Sequence, residues 1–201
     1  MIIKVCGITN LEDALLSIEH GATALGFNFY PKSPRYITPE AAKKITEKLP
    51  DDILTIGIIV MTDAHSGQRS AVSGQLPVDA LQIYGLKSED DIPPTDKLVF
   101  IATDPDHVSR FPNHDLVIDT SWGTGKKADW DRLRTIDRSY ILSGGLTFDN
   151  VMEAIRLLNP AGVDVCSGVE SAPGQKDPVK LKHFLDALRD ISRDVQAHLR
   201  P

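Results

Sequence analysis

Residues able to move protons or hold anions recur in one kind of place along this 201-residue chain, at or just after a short apolar run. Cys6 and Gly7 close the run Ile2–Cys6, and Ser33-Pro34-Arg35 follow Ala24–Phe29. Gln82 lies in Ala80–Ile83, and Asp119 follows Leu116–Ile118. Gly144 and Gly145 follow Tyr140–Leu142; Asp164, Ser167, Gly168 and Glu170 cluster at the end of Val163–Val165. A thiol and a carboxylate across one mouth, Cys6 and Asp119, form a pair usable for proton transfer in either direction. Arg35 carries fixed donors suited to a carboxylate or a phosphate. Each also has a plain structural reading. A strand-end cysteine is often a small buried hydrophobe, an aspartate there is often a turn cap, and an arginine often makes a surface ion pair.

The glycine pairs point to an anion. Ser143-Gly144-Gly145-Leu146 ends a run and enters a helix at Thr147, and Cys166-Ser167-Gly168-Val169-Glu170 repeats the pattern. Glycine lets backbone N–H groups approach a phosphate closely, and a helix N-terminus adds a favourable dipole. Gly144, Gly145, Ser167 and Gly168 are therefore the candidate phosphate-binding residues, against the alternative that Gly-Gly only ends a strand tightly. Trp122-Gly-Thr-Gly-Lys-Lys127 is not a nucleotide loop, because Thr120 and Lys127 stand where that motif needs glycine and a hydroxyl residue. It reads as a mobile basic lid over the sixth strand or as a solvated surface loop.

These residues need a scaffold that brings strand ends together. Eight apolar runs are expected as strands: Ile2–Cys6, Ala24–Phe29, Leu54–Val60, Ala80–Ile83, Leu98–Ala102, Leu116–Ile118, Tyr140–Leu142 and Val163–Val165. Between them, Asn10 and Thr38-Pro39-Glu40 read as helix starts with acids in the first turn. Val151, Ile155 and Leu158 stripe a late helix, and Leu181, Phe184, Leu185, Leu188 and Ile191 stripe the last. The middle is weaker. Ser66–Gln75 is polar, and the stretches near Ser88–Pro94 and Asp104–Pro112 are short or proline-rich. The fold class expected is α/β: a single (β/α)8 TIM barrel domain over 1–201 with some short or degenerate helices in the middle. An open, doubly wound parallel sheet would show the same periodicity. Arg193–Pro201 reads as a polar tail.

Composition narrows the function classes. Net charge is −6, with 22 basic and 28 acidic residues interspersed, so no basic stripe suggests nucleic acid. No apolar run approaches the ~20 residues of a membrane span, and the first residues do not read as a secretory signal. A cytoplasmic protein is expected. Cys6 and Cys166 are too few for a disulfide scaffold, and the six histidines have no metal-ligand spacing, so no metal is expected.

Taken together, Lys4-Val-Cys-Gly-Ile-Thr9, Gly21–Phe27, Ser33-Pro-Arg35, Leu81-Gln82, Asp119, Gly123-Thr-Gly-Lys126, Ser143-Gly-Gly-Leu146, Val163-Asp-Val165, Ser167-Gly-Val-Glu170 and Pro173–Asp177 resemble the phosphoribosylanthranilate isomerase family of tryptophan biosynthesis. The matches run in family order over nearly the whole chain. The resemblance implies a cofactor-free Amadori rearrangement of N-(5-phosphoribosyl)anthranilate to 1-(2-carboxyphenylamino)-1-deoxyribulose 5-phosphate. It makes Asp119 the general acid at the ring oxygen and Cys6 the general base at C2′. It also implies that Arg35 and Gln82 are substrate-binding, that Asp164 lies near the ribose hydroxyls, and that Gly144, Gly145, Ser167 and Gly168 hold the phosphate. Its partner is a small phosphorylated substrate, with neither nucleic acid nor membrane, in a monomer or homodimer.

Departures from the family pattern are Tyr84 for a histidine, Lys87 for an acid, Ile101 for a lysine, Trp122 for a glycine and Cys166 for a serine or asparagine. They keep open a catalytically silent phosphosugar binder or an altered substrate. An aldolase or epimerase barrel would need a Schiff-base lysine or a metal cluster, and Lys4 is the only lysine plainly within an expected strand. Strands one and eight neighbour each other in a closed barrel, which would bring Cys166 near Cys6, where oxidation could join them.

Overall fold

The computed structural model describes residues 1–61, 76–119 and 130–198, with backbone alone from 190 onward. Eight parallel strands close into a barrel in the order β1 to β8. They are β1 Ile2–Cys6, β2 Ala24–Asn28, β3 Leu54–Val60, β4 Ala80–Tyr84, β5 Leu98–Thr103, β6 Asp115–Asp119, β7 Tyr140–Ser143 and β8 Gly162–Val165. All eight expected strands are present, most extending by a residue or two. The open-sheet alternative is excluded by the seam, where β1 pairs with β8 in the register Ile2 to Gly162 and Val5 to Val165.

Alternation along each strand divides the side chains into two sets. Val5, Leu25, Phe27, Leu81, Ile83, Ile101, Ile118, Leu142, Val163 and Val165 join the large core cluster with helix residues such as Ala14, Ala42, Val151, Leu181 and Phe184. The intervening residues fill the barrel itself. Its lower part is apolar, built from Ala24, Ile56, Ala80, Phe100, Ala102, Val117 and Ile141. Above this plug lie buried polar residues: Lys4, Gln82, Asp119, Ser143 and Asp164. The strand C-terminal ends thus carry chemistry over a sealed apolar base.

The helices follow their signals. In α1 (Leu11–Glu19) the Asn10 side chain accepts from the Asp13 N–H at 2.8 Å, and in α2 (Pro39–Thr46) Thr38 accepts from Ala41 at 3.2 Å. Among the described residues, the connection after β6 contributes the single turn α3, Trp130–Leu133. The helix α4 (Phe148–Leu158) opens on a reciprocal capping box of Thr147 and Asn150 and closes on Asn159 in the left-handed region. The last, α5, spans Pro178–His198. After β4 and β5, short 3-10 turns at Glu89–Asp91 and Pro105–Arg110 stand in for helices, as the proline-rich sequence there suggests. The stretch Ser66–Gln75, most of Trp122–Lys127's surroundings including the loop itself, and the end of the tail (199–201) lie outside the described residues.

One element escaped the sequence reading. A small hairpin, β9 Glu170–Ala172 with β10 Gln175–Lys176, turns through Pro173 and Gly174, the latter at φ +78°. It folds back over the mouth near β1.

Gly162 tests the closure of the barrel. A Cβ there would lie 2.7 Å from the Ile2 carbonyl oxygen, at the seam between β1 and β8. Gly162→Ala is expected to destabilise the protein by about 1–3 kcal/mol, read as a lower urea midpoint against wild type.

Candidate active site

A cavity of about 400 Å³ opens at the C-terminal ends of the strands. Its wall includes Cys6, Arg35, Asp119, Asp164 and all four candidate phosphate-loop residues, Gly144, Gly145, Ser167 and Gly168. Asn28, Tyr30 and Tyr84, which the sequence reading did not assign to a site, line it too. Gln82 does not. It is fully buried beneath the cavity, where inward alternation from Tyr84 places it one layer lower. Gln82, expected to bind substrate, thus lies in the floor beneath the cavity.

That floor is organised by Lys4, which is completely buried on β1. Its ammonium donates to Gln82 Oε1 at 2.8 Å and to Asp164 Oδ2 at 2.9 Å. Burial alone would push its pKa down; the Asp164 carboxylate and Cys6 more than reverse this and hold it charged. Ser143 donates to the same Asp164 oxygen at 3.1 Å. The other, Oδ1, is buried with no partner among the described residues. On the far side of Gln82, its amide donates to the Tyr84 hydroxyl at 3.0 Å, and Tyr84 donates to Asp119 Oδ2 at 2.9 Å.

Cys6 ends β1 in a space that Gly26 provides, since a Cβ at Gly26 would lie 2.9 Å from the sulfur. The thiol's pKa is lowered to about 7, chiefly by a hydrogen bond from Cys166. Burial opposes this; the Lys4 and Lys176 charges assist it, and Asp164 opposes it. The expected nearness of the two cysteines is borne out, and both are free thiols. The Cys166 pKa is pushed well up, first by that same bond and then by burial, so Cys166 keeps its proton as a donor. Glu170 Oε1, 3.7 Å from the Cys166 sulfur, competes for it.

Arg35 arrives by the long loop after β2 and crosses above Gly7. Gly7 has φ +75°, and a Cβ on it would meet the Arg35 stem at 2.7 Å. The guanidinium is gripped by Glu170, with Nε at 3.0 Å from Oε1 and an Nη2 at 2.7 Å from Oε2. Lys176, on the hairpin, joins Glu170 Oε1 at 3.0 Å and donates to the Cys6 carbonyl oxygen at 2.6 Å. Burial pushes the Glu170 carboxyl up, but Arg35 and Lys176 hold it below the usual range. The hairpin therefore positions both Arg35 and the backbone of Cys6. The sequence carried a signal for Lys4, its period-two spacing from Cys6; nothing in spacing alone pointed to Lys176.

The two glycine loops press together. Gly144 and Gly145 have φ of +100° and +65°, and a Cβ at Gly168 would lie 1.9 Å from the Leu146 carbonyl oxygen. Asn150, in the first turn of α4, donates to the Gly145 carbonyl at 2.9 Å and fixes the loop from outside. Side chains are excluded here, so a ligand at this wall meets backbone.

The chain is similar to known proteins of one family. The profile of the family described as N-(5'phosphoribosyl)anthranilate (PRA) isomerase matches residues 3–187. The N-(5'-phosphoribosyl)anthranilate isomerase of Geotalea uraniireducens is 41% identical over 202 residues, covering 94% of this chain and 98% of the relative. Among solved structures, a phosphoribosyl anthranilate isomerase in complex with reduced 1-(o-carboxyphenylamino)-1-deoxyribulose 5-phosphate is 34% identical at TM-score 0.75, covering 94% of this chain and 100% of its own. Monomers generated from the dimeric enzyme of Thermotoga maritima are 34% identical at TM-score 0.76, covering 94% and 99%.

The reactivity of Cys6 tests the site's electrostatics. Alkylation of Cys6 by iodoacetamide is expected to rise with pH through a midpoint near 7. In Cys166→Ala the midpoint moves up toward the ordinary thiol value of about 8.5, while Cys166→Ser, which keeps a donor, stays nearer wild type. An unmoved midpoint in Cys166→Ala would show that the neighbouring thiol is not the cause.

Proposed function

The chain belongs to the N-(5'-phosphoribosyl)anthranilate isomerase family and is an isomerase of tryptophan biosynthesis, and on that premise we propose how its own residues divide the work. The reaction opens the ribose ring of N-(5-phosphoribosyl)anthranilate and shifts a proton from C2′, giving 1-(2-carboxyphenylamino)-1-deoxyribulose 5-phosphate. Asp119 is the general acid, delivering a proton to the ring oxygen as the C1′–O bond breaks and a protonated imine forms. Cys6 as thiolate is the general base, removing the proton from C2′ to give the enamine, which tautomerises to the ketone. The observation that carries this reading is that Cys6 and Asp119, from strands three apart around the barrel, line one cavity with both glycine loops. A thiol poised at about 7 is half ionised near neutrality, which suits a base acting on a carbon acid.

The remaining wall supplies binding. Backbone N–H groups of Gly144, Gly145, Ser167 and Gly168 hold the phosphate. Asp164 Oδ1 accepts from a ribose hydroxyl, which gives that buried oxygen its partner. Arg35, held by Glu170, turns its remaining N–H groups to the anthranilate carboxylate. Lys4 does not serve as a Schiff-base lysine, as an aldolase reading would require. It lies beneath the cavity and stays charged, the opposite of what a nucleophilic amine needs. Every residue of this scheme comes from one chain over 1–201, so it holds for a single-domain monomer or a homodimer. No helix among the described residues is long and apolar enough to cross a membrane, and we place the activity in the cytoplasm.

Turnover of freshly generated phosphoribosylanthranilate, followed by the loss of its fluorescence, tests the assignment. Asp119→Asn and Cys6→Ala are each expected to lower kcat about 10²- to 10⁴-fold, the range of a general acid or base. Normal turnover in Cys6→Ala would remove the thiolate from the mechanism.

A further inference from the structure

Between the buried cation of the floor and the residue read as the general acid runs an unbroken series of hydrogen bonds. Lys4 Nζ donates to Gln82 Oε1 at 2.8 Å, Gln82 Nε2 donates to the Tyr84 hydroxyl at 3.0 Å, and Tyr84 donates to Asp119 Oδ2 at 2.9 Å. The direction of every link is dictated by the first. An ammonium can only donate, so the Gln82 amide must turn its oxygen to Lys4 and its NH2 toward Tyr84. The Tyr84 oxygen then accepts from Gln82, and its single proton points on to Asp119. Burial, and then the nearby Asp119 carboxylate, push the phenol's pKa well up, so Tyr84 remains a neutral donor. Gln82 is wholly buried.

We propose that Tyr84 is a positioning residue for Asp119, the last donor of a one-way hydrogen-bond chain that starts at Lys4. This rests on Asp119 being the general acid. With Oδ2 committed as the acceptor of the phenol, the transferable proton resides on Oδ1. As that proton leaves for the substrate's ring oxygen, the negative charge that develops on the carboxyl already faces a fixed donor. The Tyr84 ring rests on the apolar plug, and its hydroxyl reaches Asp119 across the barrel interior. Its hydroxyl therefore contributes through Asp119, and Gln82 and Lys4 contribute through Tyr84.

Two near-isosteric variants separate this from a role in shaping the pocket. Tyr84→Phe deletes the donor and keeps the ring. Gln82→Glu keeps the phenol but replaces the NH2 by a second acceptor, so the Tyr84 proton turns back to residue 82 and away from Asp119. Both are expected to lower kcat about 10- to 100-fold, the scale of one charge-assisted hydrogen bond. In Tyr84→Phe the affinity for reduced 1-(o-carboxyphenylamino)-1-deoxyribulose 5-phosphate should stay within about threefold of wild type, less than 1 kcal/mol of binding. A kcat in Tyr84→Phe within twofold of wild type overturns the proposal, as does a loss of rate matched by a loss of affinity for the analogue. Asp119→Asn is run beside them. An active Asp119→Asn removes the reading on which the proposal rests, whereas an inactive one beside a fully active Tyr84→Phe removes only the role of Tyr84.

Discussion

One buried ammonium sets the order of this barrel's interior. Removing Lys4 from water is costly, and the cost is met by two acceptors, Gln82 and Asp164, with the Cys6 thiol nearby. Those three neighbours are the directions in which the site develops. Toward Cys6 the charge favours a thiolate. Toward Asp164 it holds one carboxylate oxygen, with the second left over for a ligand. Toward Gln82 it fixes which way a glutamine and then a tyrosine must point, so an electrostatic constraint at the centre becomes a geometric one at the rim.

The apolar plug beneath and the hairpin above make that arrangement work. Ile56, Phe100, Val117 and Ile141 close the barrel below Lys4, keeping water from competing for its partners. Above, Glu170 and Lys176 of the hairpin tie Arg35 and the Cys6 backbone to each other by a second buried ion pair. A base with a lowered pKa and an arginine for a carboxylate are thus fixed through a common carboxylate, Glu170. Cys166 adds a donor that serine would also offer, at a position where the family resemblance leads one to expect serine or asparagine.

Much of this was legible in the residues. The strands were readable because a sheet buried on both faces demands continuous apolar runs, and Asn10 and Thr38-Pro39 marked their helices by capping chemistry alone. The glycine loops declared themselves because positive φ at Gly144 and Gly145 leaves little choice of residue type. A closed barrel was expected, but periodicity alone did not separate it from an open sheet, since the Ile2–Gly162 seam is a pairing between the ends of the chain. The depth of Gln82 was not readable, because strand position alone does not give it; its neighbour two residues on, Tyr84, lines the cavity and Gln82 lies below. The hairpin was missed because two short strands carry no periodicity, and Lys176 shows its purpose only when the chain returns to Cys6.

The central claim is that the Lys4 charge organises the acid and the base together, and Lys4→Met tests it most directly through kcat. With the pocket shown to be formed by binding of reduced 1-(o-carboxyphenylamino)-1-deoxyribulose 5-phosphate, kcat should fall by at least about 100-fold, because the thiolate loses a supporting charge and the orientation of Tyr84 loses its source. A folded Lys4→Met enzyme that binds the analogue and turns over within a few-fold of wild type would contradict the account, reducing Lys4 to a partner of Asp164 in holding the barrel together.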